Sequence, residues 1–500
     1  MTKVFTIAAI ATILLTHGAL AQDAHITIAV PEEPQAFDFC NSDPTAQSRI
    51  LRGNVGEGLT SRDLESGVVG PLLATTWEQQ SPEVWTFKLR EGVKFHDGAD
   101  FNADAAAQSI NRVFVDALGC SIRAQLFGSA TAVAEAVDMH TLRVTLSAPD
   151  PILPLRLSAL PISAPSTPND AVTSEPVGTG PYRLAEWQRG SHIVLENFTE
   201  YWGEQPDVAK ATYVFRPEGA VRVGMVDTGE ADIATNVSLD LLSQPGVMSY
   251  DLPNTIIFRM DMQDEPFRDI RVRRAVGHAI DRQAMIDGFL NGAGEPASQL
   301  ISKYVDGYDH DLPVSAYDPV LAAELIAQAA ADGVNTKQEV TFYVLGSANP
   351  YNSLIAQATA EQLNAVGLNV KVVSLERAAM GEILLSRGEG RHAMLQYGHD
   401  NLLGDASVSV NAILPSSQKR SQIGPDFAEK VDAMVVEANA KVGEERTRLY
   451  RELIRYWTNE VVQDAYFATL KGTMKVRPGV NYTPNFQSNE IMRLSEITVD

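Results

Sequence analysis

The sequence predicts an α/β protein with mixed sheets, divided into two or three domains. Two observations carry this. The chain has 500 residues, 45% of them hydrophobic, which is too long for one core and too apolar for disorder. Segments with a hydrophobic period of two mix with segments of period 3.6 in no strict strand–helix–strand order, as lobes with mixed sheets require.

The elements follow in order. Lys3 is followed by an apolar run, 4–15, and by Ala19-Leu20-Ala21, small residues at the positions a signal peptidase reads. That run falls short of the roughly 20 residues that span a bilayer, so 1–21 predicts a cleaved leader with a mature start at Gln22. A buried N-terminal helix is the alternative. No Cys follows the cleavage site, so no lipid is expected there. A strand is expected at 25–30, then a Pro/Asp/Asn-rich loop over 31–44. Trp85, Phe87 and Leu89 alternate with Thr86, Lys88 and Arg90 in a half-buried strand. Glu91-Gly92 and Asp97-Gly98 then turn the chain.

Asn102 is a good N-cap for a helix with Ala106, Ile110, Val113 and Phe114 on one face. Strands are expected at 141–146, 192–196 and 212–216. A helix over 271–284 carries Val272, Ala275, Val276, Ala279 and Ile280 at helical spacing. A helical run over 356–366 leads into a strand at 369–373, and Leu449, Leu453 and Trp457 mark a late amphipathic helix. There is no internal repeat and no Gly/Ser linker, so short crossovers must join the domains.

The net charge of −23 repels phosphate backbones, which excludes nucleic acid as a partner. No later segment reaches the apolar length of a membrane span. The two cysteines, Cys40 and Cys120, have one way to pair in an exported chain, two buried thiols being the alternative. They are too few for a structural zinc site. Motifs that carry chemistry are missing. There is no Gly-x-Ser-x-Gly elbow, no His-Glu-x-x-His helix and no phosphate loop ending in Gly-Lys. Gly178-Thr179-Gly180-Pro181 lacks a third glycine and fits a tight turn before a strand better than a dinucleotide loop. His392 and His399 are expected to be structural. No catalytic residue, metal or cofactor is predicted.

Several stretches together resemble the family 5 extracellular solute-binding proteins of ABC importers, which include dipeptide, oligopeptide and nickel-complex binders. They are Pro71-Leu72-Leu73-Ala74-Thr75-Thr76-Trp77 and the run from Trp85 through Phe95-His96-Asp97-Gly98. Further on come Pro176-Val177-Gly178-Thr179-Gly180-Pro181-Tyr182-Arg183, Asn197 to Gly203, Gly229-Glu230-Ala231-Asp232-Ile233, Pro266 to Ala275 and Tyr317-Asp318-Pro319. His96 belongs to this pattern and is not read as a metal ligand.

The resemblance implies a two-lobed periplasmic binding protein fold with mixed sheets, a hinge between lobes and a third domain inserted in the first lobe. The first lobe would comprise 22–56, 178–265 and 474–500, the inserted domain 57–177 and the second lobe 266–473. It also implies a periplasmic monomer that is not membrane-embedded and not an enzyme. The protein would capture a peptide or peptide-like molecule and hand it to the permease. A sugar conjugate, opine or metal chelate is the alternative ligand class, and a secreted hydrolase the remote one.

In the family's peptide binders an aspartate three residues after an aromatic meets the ligand's ammonium. Here the matching stretch is Tyr397-Gly398-His399-Asp400, with Asp405 two residues late and Ala406 in place of proline. Asp400 is thus the candidate ammonium anchor, by a charge-assisted hydrogen bond in a closed cleft. Arg377 is the first candidate for a ligand carboxylate, with Arg387 and Arg391 competing. Phe39, Asn41 and Ser42 are expected to line the cleft from the first lobe, and Phe258 to offer it an aromatic wall.

Overall fold

The computed structural model describes residues 24–41, 46–64, 66–346, 350–385, 391–401, 403–487 and 491–500. The leader, Gln22, Ser42 and Arg387 lie outside the described residues. Among these, an eleven-stranded sheet runs through both lobes. Its order is Val370–Leu375, Val340–Leu345, Ala393–Asp400, Val247–Met260, Asp464–Val476, Ile233–Thr235, Ala24–Val30, Val208–Phe215, His192–Asn197 and Tyr182–Gln188, with Gly294–Pro296 paired beside Asp464–Val476.

Two long strands belong to both halves. Val247–Met260 pairs with Asp464–Val476 from Val247↔Lys475 to Arg259↔Asp464. The first-lobe strands attach at Ile233↔Val476 and the second-lobe strands at Asn254↔Asp400. Between these attachments the ladder skips, from Asp251↔Lys471 to Thr255↔Thr469. Pro253 sits in the skip and has no amide hydrogen to give to a ladder.

Strand directions determine which edges face each other. Ala24–Val30 runs parallel to Val208–Phe215 and Ile233–Thr235. Ile233–Thr235 and Val247–Met260 both run antiparallel to Asp464–Val476, so the first-lobe strands share the direction of Val247–Met260. Ala393–Asp400 runs against Val247–Met260, and Val340–Leu345 and Val370–Leu375 follow Ala393–Asp400. The C-terminal ends of the first-lobe parallel strands therefore point toward the second lobe, and those of the second lobe point back. Ligands of open α/β sheets bind at such ends.

A separate antiparallel sheet holds Ala74–Ser81, Val84–Leu89, Thr141–Leu146 and Ala132–Asp138 in that order. Trp85, Phe87 and Leu89 face its core, as their alternation predicts. Helix Ala103–Arg112 packs there too, and the Ala105 N–H donates to the Asn102 side chain at its N-cap. Gly92 and Gly98 take φ of 75° and 86°, the left-handed turn positions that favour glycine.

Three expectations change. The helix over 271–284 is two helices, Ile270–Ala279 and Arg282–Leu290. Ile280 is extended and Asp281 caps the second helix by accepting from the Ala284 N–H. Arg282 holds the break, donating to the Gly277, Ile280, Ser315 and Tyr466 carbonyls. The glycines at 178 and 180 answer to close approach rather than to a turn: a Cβ on them would lie 2.1 Å from the Val55 oxygen and 2.2 Å from the Asn54 oxygen. The disulfide Cys40–Cys120 is present, with its Cα atoms 4.8 Å apart. However, Cys120 stands at the N-cap of Ser121–Phe127, past the end of Ala103–Arg112. Beside it Arg112 donates twice to the Asp38 carboxylate, at 2.8 and 2.7 Å, with both groups buried.

Candidate functional site

Asp400 ends its strand on the edge that faces the first lobe. Its side chain is exposed, yet protein surrounds it closely enough for desolvation to raise its pKa, opposed by a hydrogen bond from Asn254. The Asn254 amide donates to the carboxylate at 2.7 Å. Asn254 lies in the skipped stretch between lobes, so the carboxylate is oriented by the crossover strand itself. Gly398, two residues earlier on the same face, makes room for the Asn254 side chain, whose Nδ2 lies 3.1 Å from where a Cβ would be.

The loop after Asp400 is built to keep its shape. Asn401 is buried, donates to the Asp405 carbonyl and to Ser409, and accepts from the Gly404 N–H. Asp405 caps helix Ala406–Ile413 and forms a buried ion pair with Arg446, so it is not a ligand group. His399 bonds Ser409 through Nε2, and burial, with Arg259 and Arg420 nearby, drops its pKa to about 3. It stays neutral and structural, as expected.

Arg377 is exposed at the first residue of helix Arg377–Leu385, directly after Val370–Leu375 on the same edge. One strand, Val340–Leu345, separates Val370–Leu375 from Ala393–Asp400, and Asp400 lies three residues beyond the level of Leu375, so the two strand ends are about 14 Å apart at the usual spacings. The other candidates stand elsewhere. Arg391 is committed to Asp261, with its Nη2 at 2.5 Å and its Nε at 2.9 Å. Phe258 is fully buried between Phe342 and Phe467, with ring centroids 5.5 and 5.7 Å away, and offers no face to a cleft. Phe39 is buried in the first-lobe core, and a Cβ at Gly56 would lie 2.6 Å from its ring. The Asn41 side chain accepts from the Ser121 N–H and so ties the first loop to the inserted domain. Tyr397 points into the second-lobe core; its ring centroid is 5.7 Å from the Arg259 guanidinium, and burial pushes its phenol pKa up. Phe258 and Tyr397 obey a strand alternation that places each on a covered face, whereas Phe39 is buried from the one-turn helix Phe39–Asn41.

His96 is a neutral structural histidine. The Gly178 N–H donates to Nδ1, which leaves the Nε2 hydrogen for the Gly180 carbonyl, and burial lowers its pKa to about 4. A cavity of about 650 Å³ opens behind the 400–405 loop, lined by Arg52, Glu57, Arg62, Tyr201, Leu403 and Arg493 among others. Glu57 is occupied there by hydrogen bonds from Thr179, Tyr201 and Trp202, and burial raises its pKa against them. Among the described residues no three His, Cys, Asp or Glu side chains gather as a metal site, and no helix is long and apolar enough to cross a membrane.

Two lobes joined by shared strands, with paired C-terminal edges across a cleft, define a two-lobed periplasmic binding protein. Solved structures share the fold. NikA from Brucella suis, in complex with Fe(III)-EDTA, matches with a TM-score of 0.84 at 24% identity over 96% of this chain and 100% of that one. DppA from Helicobacter pylori, in complex with peptide STSA, matches with a TM-score of 0.75 at 21% identity over 95% and 98%. The model of bacterial extracellular solute-binding proteins, family 5, matches residues 68–421, and the chain belongs to that family. It is 26% identical to the glutathione-binding protein GsiB of Escherichia coli K12 over 433 residues, covering 81% of this chain and 80% of the relative. It is therefore a solute-binding protein that delivers a small-molecule ligand to the permease of an ABC importer.

Proposed function

We propose that the protein works in the periplasm after loss of residues 1–21, binds a peptide or peptide-like molecule between its lobes, and releases it chemically unchanged. The observation that carries this is Asp400, an exposed carboxylate held by Asn254 on the inward edge of the second lobe. A carboxylate in a concave, poorly hydrated site selects a cation, and a closed cleft strengthens the pairing. Arg377, about 14 Å away on the same edge, would take a carboxylate. That spacing suits a ligand about four residues long, at 3.3–3.6 Å per residue. The named ligands of relatives fit the same chemistry: glutathione for GsiB and the peptide STSA for DppA. The lobes would divide at 57, 178, 266 and 474, with closure bending the chain near 251–255.

A thermal-shift screen of ligand-stripped protein tests the reading, because a ligand that binds only the folded state stabilises it by RT ln(1 + [L]/Kd). Short peptides and glutathione should raise the melting temperature, and mass spectrometry should recover them intact. A response confined to opines, sugar conjugates or metal chelates would move the protein to that ligand class. A converted ligand would make it an enzyme.

A further inference from the structure

We infer that Leu403 and Arg62 form a latch that holds the lobes together outside the ligand site, so that affinity is set partly by residues that never touch the ligand. The inference rests on the closure reading above. Leu403 follows Asp400 by three residues in the second lobe, yet its side chain is 6% exposed within the hydrophobic cluster of the inserted domain. Val408, at the start of the next helix, packs against the same cluster.

Arg62 crosses in the opposite direction. It ends strand Thr60–Arg62, and its Nη2 donates to the Tyr304 carbonyl of the second lobe at 3.2 Å. Its guanidinium carbon lies 5.6 Å from the centre of the Phe486 ring, and Phe486 stacks on Tyr304 at 4.6 Å and 11°. Phe486 comes from the C-terminal segment, so this stack also joins first lobe to second. Gly404 closes over the guanidinium: a Cβ there would lie 2.1 Å from Nη2. Asp405, Asp306 and Asp63 lie near enough to offset part of the charge's desolvation.

These contacts link residues on different lobes, and opening breaks all of them. Leu403 then meets water, and Arg62 loses Tyr304 and its aromatic neighbour. Each contact thus has a different free energy in the two states, which is what biases a conformational equilibrium. Because only the closed fraction binds at full strength, weakening the latch raises the apparent Kd by the same factor as it lowers that fraction. Arg62 and Leu403 act as positioning residues.

Spin labels at Met139→Cys and Val436→Cys, 69% and 70% exposed, report the interlobe distance by pulsed electron resonance in ligand-free protein. The wild-type background should show a short and a long distance. Arg62→Ala and Leu403→Ala should each lower the short-to-long ratio about tenfold. Gly404→Ala, whose methyl would push the Arg62 guanidinium aside at a backbone φ of 71°, should lower the ratio at least as far as Arg62→Ala. Adding Arg62→Ala to it should lower the ratio by less than the two effects combined, a non-additivity that a merely destabilised fold would not show. A ligand-free wild type with only the long distance overturns the latch and leaves closure standing. So does a ratio unchanged within twofold in both alanine variants while Gly404→Ala still opens the protein. A single short distance in every variant, Gly404→Ala included, overturns closure itself.

Discussion

At Asp400 one hydrogen bond, from Asn254, orients an exposed carboxylate. Replacing Asp400 by Ala should leave the fold intact and cost about 2–5 kcal/mol of binding, the range for truncating one partner of a buried charge pair; calorimetry with the ligand from the screen checks it. The pH dependence follows from the direction of its shift. Desolvation raises the Asp400 pKa above 3.8, so the anchoring carboxylate is lost earlier on acidification than an ordinary aspartate. Affinity for a ligand ammonium should fall as the pH drops through that raised value, and Asp400→Asn should flatten this part of the profile. In the ligand-free protein the sign reverses: a raised carboxylate pKa costs stability at neutral pH, and the cost fades as the proton binds. Asp400 could be singled out because the family pattern marks its position, and its part in binding is the proposal made above. The burial of Phe258 was not legible, because an aromatic in a strand reads the same whether its face meets a ligand or Phe342 and Phe467, and that of Phe39 was not, because it depends on a first-lobe cluster assembled from distant segments. Asn254 carries no sequence signal beyond its place after Pro253. Its role comes from a pairing with Asp400 across 146 positions of chain.

Among the elements, two joints hold the inserted domain to the first lobe. Cys40–Cys120 closes a separation of 80 residues, worth about 4 kcal/mol in the chain-entropy model. Cys40→Ser with Cys120→Ser should therefore lower the melting temperature while the Asp38–Arg112 pair keeps the loop seated. Thiol titration of the denatured, unreduced wild type should find no free thiol. The second joint fastens the chain entering the inserted domain to the chain leaving it, with Gly178 and Gly180 against the 54–55 backbone. Gly178→Ala has no room unless backbone moves, and should destabilise more than Gly92→Ser, which meets only open space at a left-handed turn. Denaturant titration of both ranks them. Local pattern predicted most elements, since alternation and capping are properties of neighbouring residues: Asn102 and the strand Thr141–Leu146 stand where expected. The helix break at Ile280 was illegible because Arg282 makes it with carbonyls as distant as Tyr466.

For the whole molecule, binding a ligand that bridges the lobes should compact the protein. Small-angle scattering should record a smaller radius of gyration at saturation, and an unchanged value would refute closure. Two lobes were predictable from chain length and from the family pattern. The single sheet that runs through both was not, because it depends on Asp464–Val476 pairing with strands some two hundred residues earlier, Ile233–Thr235 and Val247–Met260. That strand, Asp464–Val476, also sets a timetable. Ile233–Thr235 and the N-terminal half of Val247–Met260 both need it as a neighbour, so the first lobe to be synthesised cannot complete its sheet until almost the last residues leave the ribosome. Pairings this distant in sequence form slowly. For the export proposed above that delay would be useful, since the strand that joins the lobes in the finished protein is missing until residues 464–476 have been made.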